Sequence, residues 1–483
     1  MTISPRDAQW RQELRESKSA KERSAIPRAS MPELDPAYRI TCNEEVNMGL
    51  SEDQAVLEAT RCLDCPDPQC ITGCPVSINI PGFVKNIERR NLADAVTVLK
   101  ETSALPAVCG RVCPQERQCE SKCIYNKMKK PPVAIGWLER FAADTGQLAG
   151  DEALPEQSAS NGKRVAVIGS GPAGLSFAGE MIKYGYDVTV YEALHKLGGV
   201  LRYGIPEFRL PNSVVDFEID ALKKKGVKFE TDVVVGKTLS LEQLRERRFD
   251  GIFVASGAGL PRFMDIPGEN LINVLSSNEY LTRINLMGAG REGYATPVPH
   301  GRAVAVIGGG NTAMDSVRTA KRMGAERAMI IYRRSEAEMP ARVEEVKHAK
   351  EEGVEFLTLC NPIKYIGDEN GHVKSMLVQK MELGEPDASG RRSPVPIPGA
   401  VEEIAVDVVI VSVGVSPNPL IPTSFQGLDV SRRGTIEVND DLQSSIPTLF
   451  AGGDIVRGGA TVILAMGDGR HVAASMHRTL SEQ

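Results

Sequence analysis

The sequence predicts an α/β protein in which a helical N-terminal region precedes two Rossmann-like units. Three observations point there. The phrase Val165-Ala-Val-Ile-Gly169 returns as Val304-Ala-Val-Ile-Gly308, 139 residues further on. Each copy is a β-branched run that opens directly into a glycine-rich turn, as a βαβ unit begins. Ahead of both, eight of the ten cysteines crowd into sixty-two residues that lack this strand–turn–helix rhythm.

Composition narrows the function classes. At 483 residues the chain has room for about three domains, and a net charge of −6 gives no reason to expect nucleic-acid binding. Aromatic residues, at 5%, are too few for a base-stacking surface. No run of 18 apolar residues suggests a membrane span. The N-terminus, through Arg15, Lys18, Lys21, Glu22 and Arg23, is charged and lacks the apolar stretch of a secretory signal, so a cytoplasmic chain is expected.

Residues 1 to about 40 are charged and broken by Pro5, Pro27, Pro32 and Pro36; they read as an arm that orders only against something else. Ser51 and Gln54 form a capping-box pattern at the head of a helix running to Arg61. The cysteines then follow as Cys62-x2-Cys65-x4-Cys70-x3-Cys74-Pro75 and Cys109-x3-Cys113-Pro114-x5-Cys119-x3-Cys123. Thiolates at such short spacings hold iron–sulfur clusters, and a closing Cys-Pro commonly ligates a neighbouring cluster. A disulfide framework belongs to small secreted domains. Zinc is the alternative, although zinc sites usually repeat Cys-x2-Cys and these gaps of four and three suit cluster loops better. Cys42 and Cys360 stand alone as simple thiols. Between Pro75 and Ala149 eleven Lys/Arg outnumber seven Asp/Glu. Such cations would raise the potential of an anionic cluster; an ordinary solvated face is the other reading.

Ala149–Gly162 is polar and reads as a linker. Beyond it the first fingerprint, Gly169-x-Gly171-x-x-Gly174, precedes a helix and a strand, Asp187–Tyr191, that ends at Glu192. The glycines allow the tight turn and close backbone approach, a pyrophosphate meets the helix N-terminus, and the acid binds ribose hydroxyls. Two later segments favour FAD here. Leu197-Gly198-Gly199-x-Leu201-x-x-Gly204-Ile205-Pro206 is suited to run beside the isoalloxazine ring. Ala451-Gly452-Gly453-Asp454 offers a carboxylate to the ribityl chain, and a helix starting near Ala460-Thr461 points its positive end at the flavin. The candidate FAD residues are Gly169, Gly171, Pro172, Ala173, Gly174, Glu192, Gly199, Arg202, Gly204, Ile205, Gly453, Asp454, Thr461 and Val462.

The second fingerprint reads Gly308-Gly309-Gly310-Asn311-Thr312-Ala313-Met314-Asp315. Where the first has an acid, the strand Ala328–Tyr332 ends in Arg333-Arg334. Guanidiniums bind a 2′-phosphate that a carboxylate would repel, which selects NADPH; two solvated arginines at a strand end are the plainer reading. The candidate NADPH residues are Gly308, Gly310, Asn311, Thr312, Ala313, Asp315, Arg333 and Arg334. A charged helix is expected over Ala337–Glu352, a polar insertion over Gly367–Gly399, and a buried strand over Val406–Val415. Hydride transfer between cofactors needs no proton-relaying side chain, so no catalytic residue is expected.

Together these motifs, with Arg333-Arg-Ser-Glu-Ala-Glu-Met-Pro-Ala-Arg342, make the chain from about Cys42 to its C-terminus resemble the small (β) subunits of bacterial NADPH-dependent glutamate synthase. The wider group includes the N-terminal part of dihydropyrimidine dehydrogenase and the large subunits of ferredoxin:NADP oxidoreductases. The resemblance implies an adrenodoxin-reductase-like flavin fold behind a helical domain holding two [4Fe–4S] clusters. The corresponding ranges are 1–160 for the cluster domain, 161–296 and 410–483 for the FAD-binding segments and 297–409 for the NADPH-binding domain. It further implies that NADPH is oxidised at FAD. Electrons then pass to the FMN of a large (α) subunit that carries glutaminase activity and makes L-glutamate from L-glutamine and 2-oxoglutarate. Carried onto this chain, one cluster uses Cys62, Cys65, Cys70 and Cys123, and the other Cys74, Cys113, Cys119 and Glu139; the alternative puts Cys109 in the place of Glu139. Two other functions compete: an NAD(P)H-linked reductase serving ferredoxin or another flavoprotein, and a non-catalytic flavin-binding scaffold.

Overall fold

Both repeated phrases become the central strands of five-stranded parallel sheets. In the computed structural model, which describes residues 3–149, 158–388 and 390–482, the first sheet runs Leu449–Ala451, Gly251–Val254, Arg164–Ile168, Asp187–Tyr191, Lys228–Glu230. The second runs Val274–Ser276, Val408–Val411, Ala303–Ile307, Arg327–Tyr332, Glu355–Thr358. Four of the five residues in each central strand are buried, which is why both read as unbroken apolar runs: parallel strands are covered on two faces. The expected linker falls largely on residues 150–157, outside the described residues.

The two units trade strands across the expected boundaries. Val274–Ser276 belongs to the second sheet although it precedes residue 297, and Val408–Val411 spans the 409/410 boundary. The polar insertion is itself structured, as an antiparallel sheet of Cys360–Gly367, Val373–Pro386 and Arg392–Ala405. Its inward residues Val373, Met376 and Val378 share a core with Ile307, Met329 and Val409, so one face is apolar despite the polar composition. The charged helix begins only at Val343 and ends at Glu351. Upstream, Glu336–Glu338 forms a 3₁₀ turn and Pro340 interrupts the helix pattern.

Ser51 does cap the helix Glu52–Thr60, with the reciprocal Gln54 bond in place. The N-terminal arm orders against the rest of the chain: helices Gln9–Ser17 and Ala20–Ala25 dock on the cysteine region, and Pro36–Arg39 docks on the second unit through Arg39 and Glu352. That region is not a separate bead. Val108 and Leu138 share one apolar core with Phe177, Val188, Met466 and Met476, the last two on the long C-terminal helix Val462–Ser481.

Candidate functional site

At the first fingerprint the backbone leaves Ile168 into Gly169 at φ +106°, and a Cβ there would meet Ala255 O at 2.5 Å. Gly308 repeats this at φ +139°, 2.3 Å from Ser412 O. Only glycine satisfies both the dihedral and the approach. The space beside Gly171 is open, with nothing within 4 Å of where a Cβ would stand. Helices Pro172–Lys183 and Asn311–Arg322 begin at Gly171 and Gly310, neither with a side-chain cap. The amides of Ala173 and Gly174, and of Asn311 and Thr312, therefore remain available, which suits a pyrophosphate at each.

Four segments converge at the first site. Glu192 is buried and accepts from Ser170 N (3.0 Å), Ser170 Oγ (2.5 Å) and Leu194 N (2.9 Å). Gly198 N donates to Ser170 Oγ at 3.0 Å, and a Cβ at Gly199 would come within 3.0 Å of Gly171 Cα, so the turn that holds Gly204 and Ile205 lies close on the fingerprint. Arg202 is turned into an ion pair with Asp216. At Gly453, φ +77°, a Cβ would meet Ala173 Cβ at 3.0 Å. The Asp454 carboxyl is pushed up to about 6 by burial, while its bond from Ala460 N (3.2 Å) works against the rise. Thr461 caps the C-terminal helix by accepting from Leu464 N at 3.3 Å, so Val462 heads that helix at the site. Asp468 was not foreseen: it accepts from Gly453 N (2.9 Å) and from Arg457 Nε (2.6 Å), tying the Gly-Gly-Asp turn to the helix. An acid within an otherwise apolar helical face was its signal in the sequence.

The second site is more divided. Asn311 Oδ1 accepts from Arg342 N at 2.9 Å, Thr312 O accepts from Ser316 Oγ, and Ala313 is fully buried. Asp315 is buried in a two-point ion pair with Arg209 (2.9 and 2.8 Å) and so faces the first unit. The two arginines differ. Arg333 is exposed, whereas buried Arg334 donates to Arg392 O (2.8 Å) and Asp387 Oδ2 (2.7 Å). Of the expected guanidinium pair, Arg333 is thus the exposed member and Arg334 the one bonded within the second unit.

All ten cysteines are free, and eight of them gather into two sets. Cys62, Cys65, Cys70 and Cys123 lie within electrostatic reach of one another, around Cys70. Burial, then the neighbouring thiols, pushes Cys70 up; burial pushes Cys62 up to about 11 against the opposing pull of Lys85. Lys85 is wholly buried and donates to Cys62 O and Glu88 Oε2, both at 2.6 Å, so one of the expected cations does stand beside the thiols. Cys74, Cys113, Cys119, Cys109 and Glu139 form the second set. Glu139 is buried, its Oε1 has no partner, and burial followed by Glu218 pushes its carboxyl up to about 8. Clustered thiols and an orphaned carboxylate oxygen suit a cationic iron–sulfur core. The Cys109 thiol lies beside Cys113 and donates to Met466 Sδ at 3.4 Å, so both it and Glu139 remain at hand.

Asp64, between the first two cysteines, was likewise not foreseen. At φ +50° it turns its carboxylate into Arg11 and Arg15, while Arg6 Nε bonds its carbonyl at 3.1 Å. The segment singled out by resemblance also docks. Arg117 donates to Met339, Pro340 and Ala341 carbonyls (2.8–3.0 Å), and Arg342 to Arg111 O (2.7 Å) and Gln115 Oε1 (2.8 Å), binding the second unit to the cysteine loops.

Two nucleotide cradles behind a cysteine-rich helical domain define a pyridine-nucleotide oxidoreductase with an iron–sulfur module. Comparison with known proteins agrees. Residues 39–150 match the family model described as dihydropyrimidine dehydrogenase domain II, 4Fe-4S cluster, and residues 163–469 match pyridine nucleotide-disulphide oxidoreductase. The glutamate synthase [NADPH] small chain of Azospirillum brasilense is 38% identical over 92% of this chain and 94% of its own. The NADP(+)-dependent formate dehydrogenase subunit beta of Moorella thermoacetica is 37% identical over 86% of this chain, which spans 60% of that subunit. Among solved structures, Mycobacterium tuberculosis FprA in complex with NADPH has a TM-score of 0.57 at 21% identity, covering 66% of this chain and 85% of FprA, a likeness of fold. The chain belongs to the family of the glutamate synthase small chains, within the pyridine nucleotide-disulphide oxidoreductases. The cofactors that go with this family are FAD, NADPH and 4Fe–4S clusters. No helix among the described residues is long and apolar enough to cross a membrane.

Proposed function

We propose that this chain is the electron-input subunit of a cytoplasmic glutamate synthase, taking electrons from NADPH and delivering them to the FMN of a large subunit that makes L-glutamate from L-glutamine and 2-oxoglutarate. The observation that carries this reading is similarity along the chain: the Azospirillum small chain is 38% identical over 92% of this chain, with the two nucleotide cradles and the two thiol sets inside the match. When bound, NADPH supplies hydride, FAD accepts it and releases single electrons, and two [4Fe–4S] clusters relay them. The chain's own residues bind and orient. Gly171 and Gly310 open their helix ends to pyrophosphates, Glu192 and Asp454 address FAD hydroxyls, and Arg333 addresses the 2′-phosphate.

Packing supports an order for the thiol sets. Cys109 touches Met466 on the helix headed by Thr461, and Ser176 Oγ bonds Met466 O at 2.9 Å, so the second set is the inner one. Cys65 and Cys123, half-buried beside exposed Lys122, Lys127 and Lys129, put the first set at the outlet. The ligands are assigned as Cys62, Cys65, Cys70 and Cys123, and as Cys74, Cys113, Cys119 and Glu139, with Cys109 the alternative to Glu139.

The deciding experiment is anaerobic affinity purification from the native host with mass spectrometry of the co-purifying chain. A stoichiometric partner with FMN and glutaminase activity, supporting NADPH oxidation that requires both glutamine and 2-oxoglutarate, is expected. The formate dehydrogenase relative favours a second reading, donation to a different acceptor, which a ferredoxin or other redox partner in that experiment would establish instead.

A further inference from the structure

The two thiol sets sit in different electrostatic surroundings. Beside the first stands Lys85, in the last turn of helix Ile80–Glu88, its side chain wholly buried and its ammonium on Cys62 O and Glu88 Oε2, both at 2.6 Å. Two buried acids of this surrounding are each shared between two cations. Glu88 also takes Arg23 at 2.7 Å, and Asp64 holds both Arg11 and Arg15. Arg61, next to Cys62, is balanced by Glu58 at 2.6 Å. With each of these pairs counted, a surplus of positive charge remains. At the rim, exposed Asp67 is outnumbered by exposed Lys122, Lys127 and Lys129, where solvent screens both signs.

Around the second set, acids come closer. Cys119 lies in the field of Glu120 and Glu139, Cys74 in that of Glu139, and buried Glu218 acts on Glu139 in turn. Arg28 is taken up by Glu120 at 2.8 Å, and Arg470, which donates to Val76 O beside the Cys74-Pro75 turn, remains partly exposed. Reduction adds one negative charge to a cluster. A nearby cation favours the reduced form, and does so most where burial keeps water from screening it.

Resting on the assignment of the two sets to two clusters, and whichever partner takes the electrons, we propose that Lys85 places the first cluster at the higher potential. Electrons then run downhill from the inner set to the outlet. In that step one electron leaves the reduced inner cluster and reduces the outer one; no bond forms or breaks, and no proton has to move. Lys85 acts through the Cys62 main chain and through its charge, so it tunes the relay without being a ligand.

The test is an anaerobic redox titration of the cluster-loaded full chain followed by EPR, in which two reduction steps are expected. In Lys85→Met the step at higher potential is expected to move down by about 59 mV or more, a tenfold fall in its reduced-to-oxidised ratio at fixed potential. Glu88→Gln keeps the ammonium and removes the carboxylate it shares with Arg23, so the same step is expected to move up. This second variant carries the test if Lys85→Met fails to bind its cluster. The lower step is expected to stay in place in both. Movement of the lower step instead, shifts of one sign in both variants, no shift in Glu88→Gln, or a single step in the wild type overturns the role of Lys85. A wild-type chain without iron–sulfur signals refutes the cluster assignment itself, and that role with it.

Discussion

At the end of strand Arg327–Tyr332, Arg333 projects exposed while Arg334 is folded back onto Asp387 and the Arg392 carbonyl. The proposed division of labour follows from those positions. Arg333→Gln is expected to raise KM for NADPH about tenfold or more and to leave NADH nearly unchanged, since a hydrogen bond to a charged group contributes about 1.5–3 kcal/mol. Arg334→Gln is expected instead to lower Tm and to affect both nucleotides alike; a NADPH-selective loss in Arg334→Gln would reverse the assignment. A second residue-scale choice concerns Glu139 and Cys109. Glu139 has an oxygen without a partner, whereas the Cys109 thiol already donates to Met466 Sδ. Glu139→Ala is therefore expected to perturb the EPR spectrum of one reduced cluster while Cys109→Ser leaves both spectra intact. The opposite pattern would make Cys109 the ligand.

The elements differ in how far the sequence announces them. Gly169–Gly174 and Gly308–Ala313 are legible because everything they need, a β-branched strand, a turn at positive φ and a helix start, lies within about ten residues. The three-stranded sheet over Cys360–Ala405 is not, since its strands earn their apolar face only by packing on Ile307 and Met329. The bonding of Arg334 is hidden from the sequence for the same reason: its partner Asp387 lies at the tip of that sheet, 53 residues away. The N-terminal arm is the plainest case. Its charges suggested a chain without a core, yet Arg11 and Arg15 close on Asp64, 53 and 49 residues distant, and clamp the Cys62–Cys65 turn. The arm is thus expected to guard the first cysteine set. Deleting residues 1–18 should speed iron release from the reconstituted protein to a chelator severalfold in one kinetic phase, with Asp64→Asn acting in the same direction. Unchanged release in both variants would reduce the arm to a surface appendage.

Across the whole molecule the three units meet in one buried ion network. Arg39 from the arm reaches Glu352 and Glu351, both at 2.8 Å, and Arg209 from the first unit reaches Asp315 (2.8 Å) and Glu345 (3.1 Å). Within the second unit Arg318 joins Glu345 to Glu352, and Arg322 adds to Glu352 at 2.8 Å. Burial opposes the charge on Glu345 and Glu352, but Arg209 and Arg318 for the first, and Arg318 and Arg322 for the second, hold both carboxyls down to about 2. Acids lowered by folding stabilise the native state above their unfolded range near 4.5, and that stability drains away as pH falls toward about 2. Asp315 pulls the other way. Burial outweighs Arg209 there and pushes its carboxyl up to about 6, so protonating it between about 6 and 4 relieves the fold. Stability is therefore expected to hold or rise slightly down to about pH 4.5 and then to fall steeply toward pH 2. Glu352→Gln leaves Arg39, Arg318 and Arg322 without their shared carboxylate, a loss of about 3–5 kcal/mol at neutral pH for a broken buried pair. Its Tm should consequently be lower than wild type at pH 7, and the two curves should converge as pH approaches 2. A constant gap between them across that range would mean that Glu352 stabilises the junction by shape and not by charge.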